Sequence, residues 1–184
     1  TLKNYYHSKG FLDVKINDSF KEIEISNKKY VDILFSINEG KQFFLSKVNI
    51  VGNNIIEKER IREVLGLSLK EPYNPVRLND NLYLLENEYH EQGKLFFEVS
   101  IKDAVNDSVS VDIVINEGNN YYLRNTFFEK AGNIDSSLVL RELVYKNGDL
   151  YTKSAMDKTS KHLREIGIFS TASLIPVKVT NSDS

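Results

Sequence analysis

Three histidines are the side chains of this chain best suited to acid–base or metal chemistry near neutral pH. Their placement argues against both. His7 and His90 each fall three residues before a glycine, Gly10 and Gly93, at the end of a stretch with helical apolar spacing. A residue that recurs with the fold is most simply explained by helix C-terminal chemistry, where a protonated imidazole meets the negative end of the helix dipole. His162 has Lys161 and Arg164 beside it, a poor setting for a cation, and no clustered ligands stand at metal-binding spacing. Glu57, Glu59 and Glu63 interleave with Lys58, Arg60 and Arg62, the pattern of a solvated helix face. Gly52 and Gly132 are single turn glycines with no Lys-Ser/Thr after them, so neither opens a phosphate-binding loop. There is no cysteine, hence no thiol chemistry and no disulfide framework. The expectation is a chain with no catalytic residue, no metal and no cofactor.

Composition sets the outer limits. A chain of 184 residues, 41% hydrophobic and 27% charged, is enough for one to three small packed domains. Its net charge of −2 argues against a nucleic-acid partner, which would select a basic patch. No apolar run approaches the length of a membrane-spanning helix. Thr1-Leu2-Lys3-Asn4-Tyr5 lacks the charged-then-apolar order of a signal peptide.

With no reactive side chains to follow, the elements themselves become the subject. Ile-Asn-Glu-Gly occurs at Ile37–Gly40 and again at Ile115–Gly118, each time behind an alternating apolar run: Val31, Ile33, Phe35 and Ile37, then Val109, Val111, Ile113 and Ile115. Period-two alternation marks a strand with one buried face. A doubled aromatic follows each copy, Phe43-Phe44 and Tyr121-Tyr122. Such self-similarity implies an array of one module. Its complete form begins with a strand over 44–51, then a Gly52-Asn53-Asn54 turn able to cap a helix over 56–65 bearing Ile61, Val64 and Leu65. Pro72-Tyr73-Asn74-Pro75 breaks that helix, and a second, over 76–92, carries Leu78, Leu82, Leu85 and Tyr89 on one stripe before Gly93. Phe97, Val99 and Ile101 form a second strand, Asn106-Asp107-Ser108 a hairpin turn, and 109–115 the third strand. The order is β-α-α-β-β.

The flanks read as partial copies. Residues 1–42 give the C-terminal part of a first module: a helix tail with Leu2 and Tyr6, then Gly10, then a hairpin of 11–16 and 30–37 joined by a long polar connection over 17–27. Residues 43–118 are the complete module. Residues 119–184 give the N-terminal part of a third: a strand over 123–129, a Gly132-Asn133 turn, a helix stripe of Leu140, Leu143 and Val144, an inter-helix turn Gly148-Asp149-Leu150-Tyr151, a second helix ending at Leu163 and Gly167, and a strand over 168–179. The third sheet is expected to be the least secure part. The chain looks like a segment of a longer one.

The ordered set resembles POTRA (polypeptide-transport-associated) domains of the BamA/TamA outer-membrane assembly factor superfamily. The residues carrying the likeness are the Gly-Asn after a short strand, the inter-helix Tyr73 and Tyr151, the helix ending in Gly before an aromatic strand (Gly93-Lys94-Leu95-Phe96-Phe97; Gly167-Ile168-Phe169), and the hairpin ending Asn-Glu-Gly. The resemblance implies an α+β fold of tandem β-α-α-β-β modules. Each would be a three-stranded mixed sheet covered on one face by two antiparallel helices, with the module's third strand central and its second at an edge. It implies a periplasmic segment tethered through a C-terminal outer-membrane β-barrel of the same parent chain, with unfolded outer-membrane protein precursors and accessory assembly lipoproteins or subunits as partners. Precursors would bind by adding a strand to an open edge. The edge expected to do so is Phe96, Phe97, Glu98, Val99, Ser100 and Ile101, with further edges over 12–16 and 169–175. Hinges between modules are expected at Gly40-Lys41-Gln42 and Gly118-Asn119-Asn120. A non-catalytic spacer or docking scaffold, in a two-partner-secretion transporter or in a cell-division or adhesion protein, is the alternative.

Overall fold

A computed structural model describes residues 1–127, 136–167 and 171–177. The elements are α1 (Leu2–Ser8), β1 (Lys15–Ile25), β2 (Lys28–Asn38), β3 (Leu45–Val51), α2 (Lys58–Leu65), α3 (Pro75–Glu91), β4 (Glu98–Val105), β5 (Val109–Asn116), α4 (Ser136–Arg141) and α5 (Lys153–Glu165). The chain divides into two compact units, Thr1–Glu86 with Glu98–Glu117, and Asn87–Phe97 with Gly118–Ser184.

The first unit holds a three-stranded sheet in the order β3-β5-β4, with β3 parallel and β4 antiparallel to β5. This mixed sheet with its helices is the α+β arrangement anticipated above, including the central third strand. On β5, Val109, Val111, Ile113 and Ile115 are buried while Asp112, Val114 and Asn116 face out. Leu45 and Ile50 of β3, Ile61, Val64 and Leu65 of α2, and Leu78 and Leu85 of α3 complete the core. Each such side chain contributes about 1.5–3 kcal/mol of burial. Gly66 takes the left-handed conformation that ends α2 (φ 69°). Asn74 accepts from Arg77 N at 2.9 Å and so caps α3, whose first residue is Pro75. Asn81 Nδ2 ties α3 to the Val64 carbonyl of α2 at 2.8 Å.

A second sheet of this unit is the β1–β2 hairpin, and it departs from expectation. Both strands run for 11 residues and meet at a two-residue turn, Ser26-Asn27, with φ of 52° and 60°. Residues 17–25 of the expected polar connection are therefore strand, and 26–27 are the turn. Positive φ at both central residues is the turn that matches strand twist. The polar composition misled because β1 is exposed along almost its whole length, and an exposed strand has no need of alternation. The start of α2 also differs: its N-cap is Glu57, without a side-chain cap bond, and Asn53 and Asn54 lie upstream of it.

In the second unit, Tyr89 stacks on Phe97 at 4.2 Å between ring centroids. Thr152 caps α5 by accepting from Ala155 N, and Glu91 accepts from the Ser154 amide at 2.6 Å and hydroxyl at 2.8 Å at the positive end of that helix. Val139, Tyr151, Met156, Thr159 and Leu163 are buried. Residues 123–127 and 171–177 lie in no strand, contrary to the strands drawn there. The Gly132-Asn133 turn, Glu129 and Ile168-Phe169 lie outside the described residues.

Candidate functional site: an open sheet edge

The directions of main-chain groups on β4 follow from β5. Val109 N donates to the Phe44 carbonyl at 2.9 Å, and its own carbonyl accepts from Ser46 Oγ at 2.9 Å, so both groups point toward the β3 side. Direction alternates residue by residue along an antiparallel pair. Ser110, Asp112, Val114 and Asn116 therefore face their partners Ala104, Lys102, Ser100 and Glu98. Val99, Ile101, Asp103 and Val105 turn N–H and C=O the other way. No further strand pairs with β4 among the described residues, so these groups line an open edge.

Of the six residues expected to form that edge, Glu98, Val99, Ser100 and Ile101 lie in β4. Phe96 and Phe97 precede it: Phe97 stacks on Tyr89, and Phe96 meets Tyr121 edge-on at 4.9 Å. Glu98 Oε2 accepts from Asn116 Nδ2 at 3.2 Å. Near the other end of β4, the Tyr73 hydroxyl donates to Asp103 Oδ2 at 3.1 Å. Burial first, and then the Asp103 carboxylate, hold the Tyr73 hydroxyl well above the usual tyrosine pKa. The opposite edge is not equivalent. Leu45 N donates to Glu71 O at 3.0 Å and Leu45 O accepts from Lys70 N at 2.8 Å, so the inter-helix turn closes the start of β3.

Two arrangements that the sequence did not announce fix this sheet. Glu117 of the second Asn-Glu-Gly is only 8% exposed. Its Oε1 accepts from Asn54 N at 2.7 Å and Ile55 N at 2.9 Å, and Oε2 lies 3.4 Å from Asn54 Nδ2. The acid thus binds the turn that follows β3, ahead of the α2 N–H groups that Asn53 or Asn54 was expected to cap. The signal was present, since both motifs recur, but nothing in one sequence pairs them.

The other arrangement is a backbone ladder that repeats. Phe43 N donates to Gly10 O at 2.8 Å and Tyr73 N to Phe43 O at 2.9 Å. In the second unit Tyr121 N donates to Gly93 O at 3.0 Å and Tyr151 N to Tyr121 O at 2.9 Å. The helix-end glycine, the first aromatic and the inter-helix tyrosine are thus one hydrogen-bonded set in both places. Around it sit the residues expected as hinges. Gly40 and Gly118 have positive φ, Gln42 Nε2 donates to Lys9 O at 2.8 Å, Lys41 lies 3.5 Å from Asp107 on the surface, and Lys94 Nζ donates to Gly118 O at 3.0 Å. Asn119 and Asn120 are exposed.

His7 and His90 lie in the last turns of α1 and α3. Among the described residues no group of three or more His, Cys, Asp or Glu could hold a metal ion, and no helix is long and apolar enough to cross a membrane.

Residues 43–118 match the POTRA family, described as a surface antigen variable number repeat. The chain is 28% identical over 199 residues to the outer membrane protein assembly factor BamA of Buchnera aphidicola, covering 97% of this chain and 31% of that protein. It is 22% identical over 171 residues to BamA of Neorickettsia risticii, covering 91% and 23% respectively. It therefore spans about a fifth to a third of the length of these relatives. Among solved structures, POTRA3–5 of Haemophilus influenzae BamA superposes with a TM-score of 0.70 at 19% identity, covering 99% of this chain and 73% of that one. Residues 43–118 thus match the POTRA family, and the chain is similar over nearly its whole length to outer membrane protein assembly factors and shares the fold of BamA POTRA domains.

Proposed function

We propose that this chain is one complete POTRA module, residues 43–118, flanked by parts of two others at 1–42 and 119–184, and that it works in the periplasm as a non-catalytic receptor for unfolded outer-membrane protein precursors. It would act beside a β-barrel carried by the same parent polypeptide and would dock accessory assembly subunits. The observation that carries this reading is the free edge of β4, where Val99, Ile101 and Asp103 aim main-chain groups outward. An added strand bonding to these residues makes about four to six hydrogen bonds, each worth about 0.5–1.5 kcal/mol net. Ordering an extended chain offsets much of that sum, leaving dissociation constants in roughly the millimolar to micromolar range. Weak, sequence-tolerant binding suits a client that must be released.

The test separates edge from fold. Val99→Pro removes an outward N–H and leaves the β4–β5 ladder whole, whereas Ser100→Pro removes a donor that faces Val114. In the parent protein, photo-crosslinking from Glu98 and Ser100 should label precursor, and Val99→Pro should abolish that labelling with the fold intact. Unchanged labelling in a folded Val99→Pro variant, or no labelling at all, defeats strand addition. The second reading, a docking spacer with bending at Gly40-Lys41-Gln42 and Gly118-Asn119-Asn120, would survive that result.

A further inference from the structure

Both joints of the chain carry the same backbone ladder, and the second carries something more. There Glu91, the last residue of α3, presents both carboxylate oxygens to the first turn of α5. Oε1 accepts from Ser154 N at 2.6 Å and Oε2 from Ser154 Oγ at 2.8 Å. An anion at that place meets free N–H groups and the positive end of the helix, and both bonds are charge-assisted. Alongside, Lys94, only 9% exposed, donates from Nζ to Gly118 O at 3.0 Å. Phe96 meets Tyr121 edge-on at 4.9 Å, His90 meets Tyr151 edge-on at 5.9 Å, and the Leu150 side chain leaves no room for a Cβ at Gly93. Every one of these contacts lies inside a single compact unit, Asn87–Phe97 with Gly118–Ser184. The first joint cannot make the same carboxylate contact. By the repeat, Ser8 stands where Glu91 stands and Val76 where Ser154 stands. The Ser8 hydroxyl donates instead to the Tyr5 carbonyl of its own helix at 2.7 Å.

We infer that Glu91 is a clasp that closes the second joint, so that Gly118-Asn119-Asn120 is a fixed corner and not a hinge. Bending there would carry Tyr121 away from Gly93 and Phe96. It would break the Tyr121 N–Gly93 O bond, the Lys94 bond to Gly118 and both Glu91 bonds together. At Gly40-Lys41-Gln42 no carboxylate is added to the ladder, and the joint is left with the Gln42 bond to Lys9 O and the surface pair of Lys41 with Asp107. The clasp is independent of strand addition at β4, and it removes one of the two bends open to a docking spacer.

Backbone amide exchange of the whole chain, resolved by residue, reads the opening of the joint directly. In wild type the amides of Tyr121, Tyr151 and Ser154 should exchange slowly. In Glu91→Ala all three should exchange at least tenfold faster, with Val111 and Ile113 of β5 unchanged. Glu91 is exposed, so the substitution leaves no cavity. The Tyr121 and Tyr151 amides donate to the Gly93 and Tyr121 carbonyls and not to Glu91, so their acceleration reports the joint and not the lost acceptor. Ser8→Ala should leave the Phe43 and Tyr73 amides of the first joint as they were. Fast exchange at Tyr121 and Tyr151 in wild type, acceleration confined to Ser154, or equal acceleration in β5 overturns the inference. So does a tenfold acceleration of Phe43 and Tyr73 in Ser8→Ala.

Discussion

Glu117 and Tyr73 show how single side chains fix the sheet, one at the turn after β3 and the other on β4. The Glu117 carboxylate meets two main-chain N–H groups that would otherwise lose their acceptor, and hydrogen bonds to a charged group are worth about 1.5–3 kcal/mol. Glu117→Ala should therefore lower unfolding stability by about that amount in urea titrations, and Glu117→Gln by less, since its amide oxygen still accepts. Tyr73 makes a pH prediction. Its hydroxyl pKa is raised in the folded state, by burial and then by Asp103, so the native chain holds this proton where the unfolded chain releases it. Its contribution is complete below the ordinary tyrosine value near 10 and declines as pH rises beyond it, at most by about 1.4 kcal/mol per pH unit. Urea unfolding at pH 9 and pH 11 should show a steeper loss in wild type than in Tyr73→Phe. Gly52 is needed for space as much as for its φ of 85°, because a Cβ there would fall on the Ile115 carbonyl oxygen. Gly52→Ala should destabilise by more than the roughly 1 kcal/mol of the backbone term alone.

At the level of elements, period and punctuation carried most of the information. The alternation of 109–115, the stripe of Leu78, Leu85 and Tyr89, and glycines placed after helices all map directly onto β5, α3 and the left-handed residues that follow. What stayed hidden was whatever depends on pairing between distant segments. The hairpin over 15–38 was misread because its register is set by a two-residue turn and not by a buried face. The Glu117 contact and the repeated Gly–aromatic–Tyr ladder were hidden for the same reason: each joins motifs far apart in sequence. The turn offers a prediction of its own. Ser26 is a poor residue for left-handed backbone, so Ser26→Asn with Asn27→Gly should stabilise the hairpin by up to about 1 kcal/mol. Slower amide exchange at Ile23, Ile25, Lys28 and Tyr30 would report it.

For the molecule as a whole, the function proposed above makes main chain, presented by a repeated scaffold, the working surface. The family likeness and the mixed sheet support this reading, and the outward face of β4 is where it can be tested. Amide hydrogen exchange resolved by residue distinguishes the two faces of that strand. In the free protein the amides of Ser100 and Lys102, bonded to β5, should exchange slowly, and those of Val99, Ile101 and Asp103 quickly. Adding an extended peptide from an outer-membrane β-barrel precursor should slow Val99, Ile101 and Asp103 and leave Ser100 and Lys102 as they were. Protection confined to other surfaces, or no protection at saturating peptide, would contradict capture at the β4 edge.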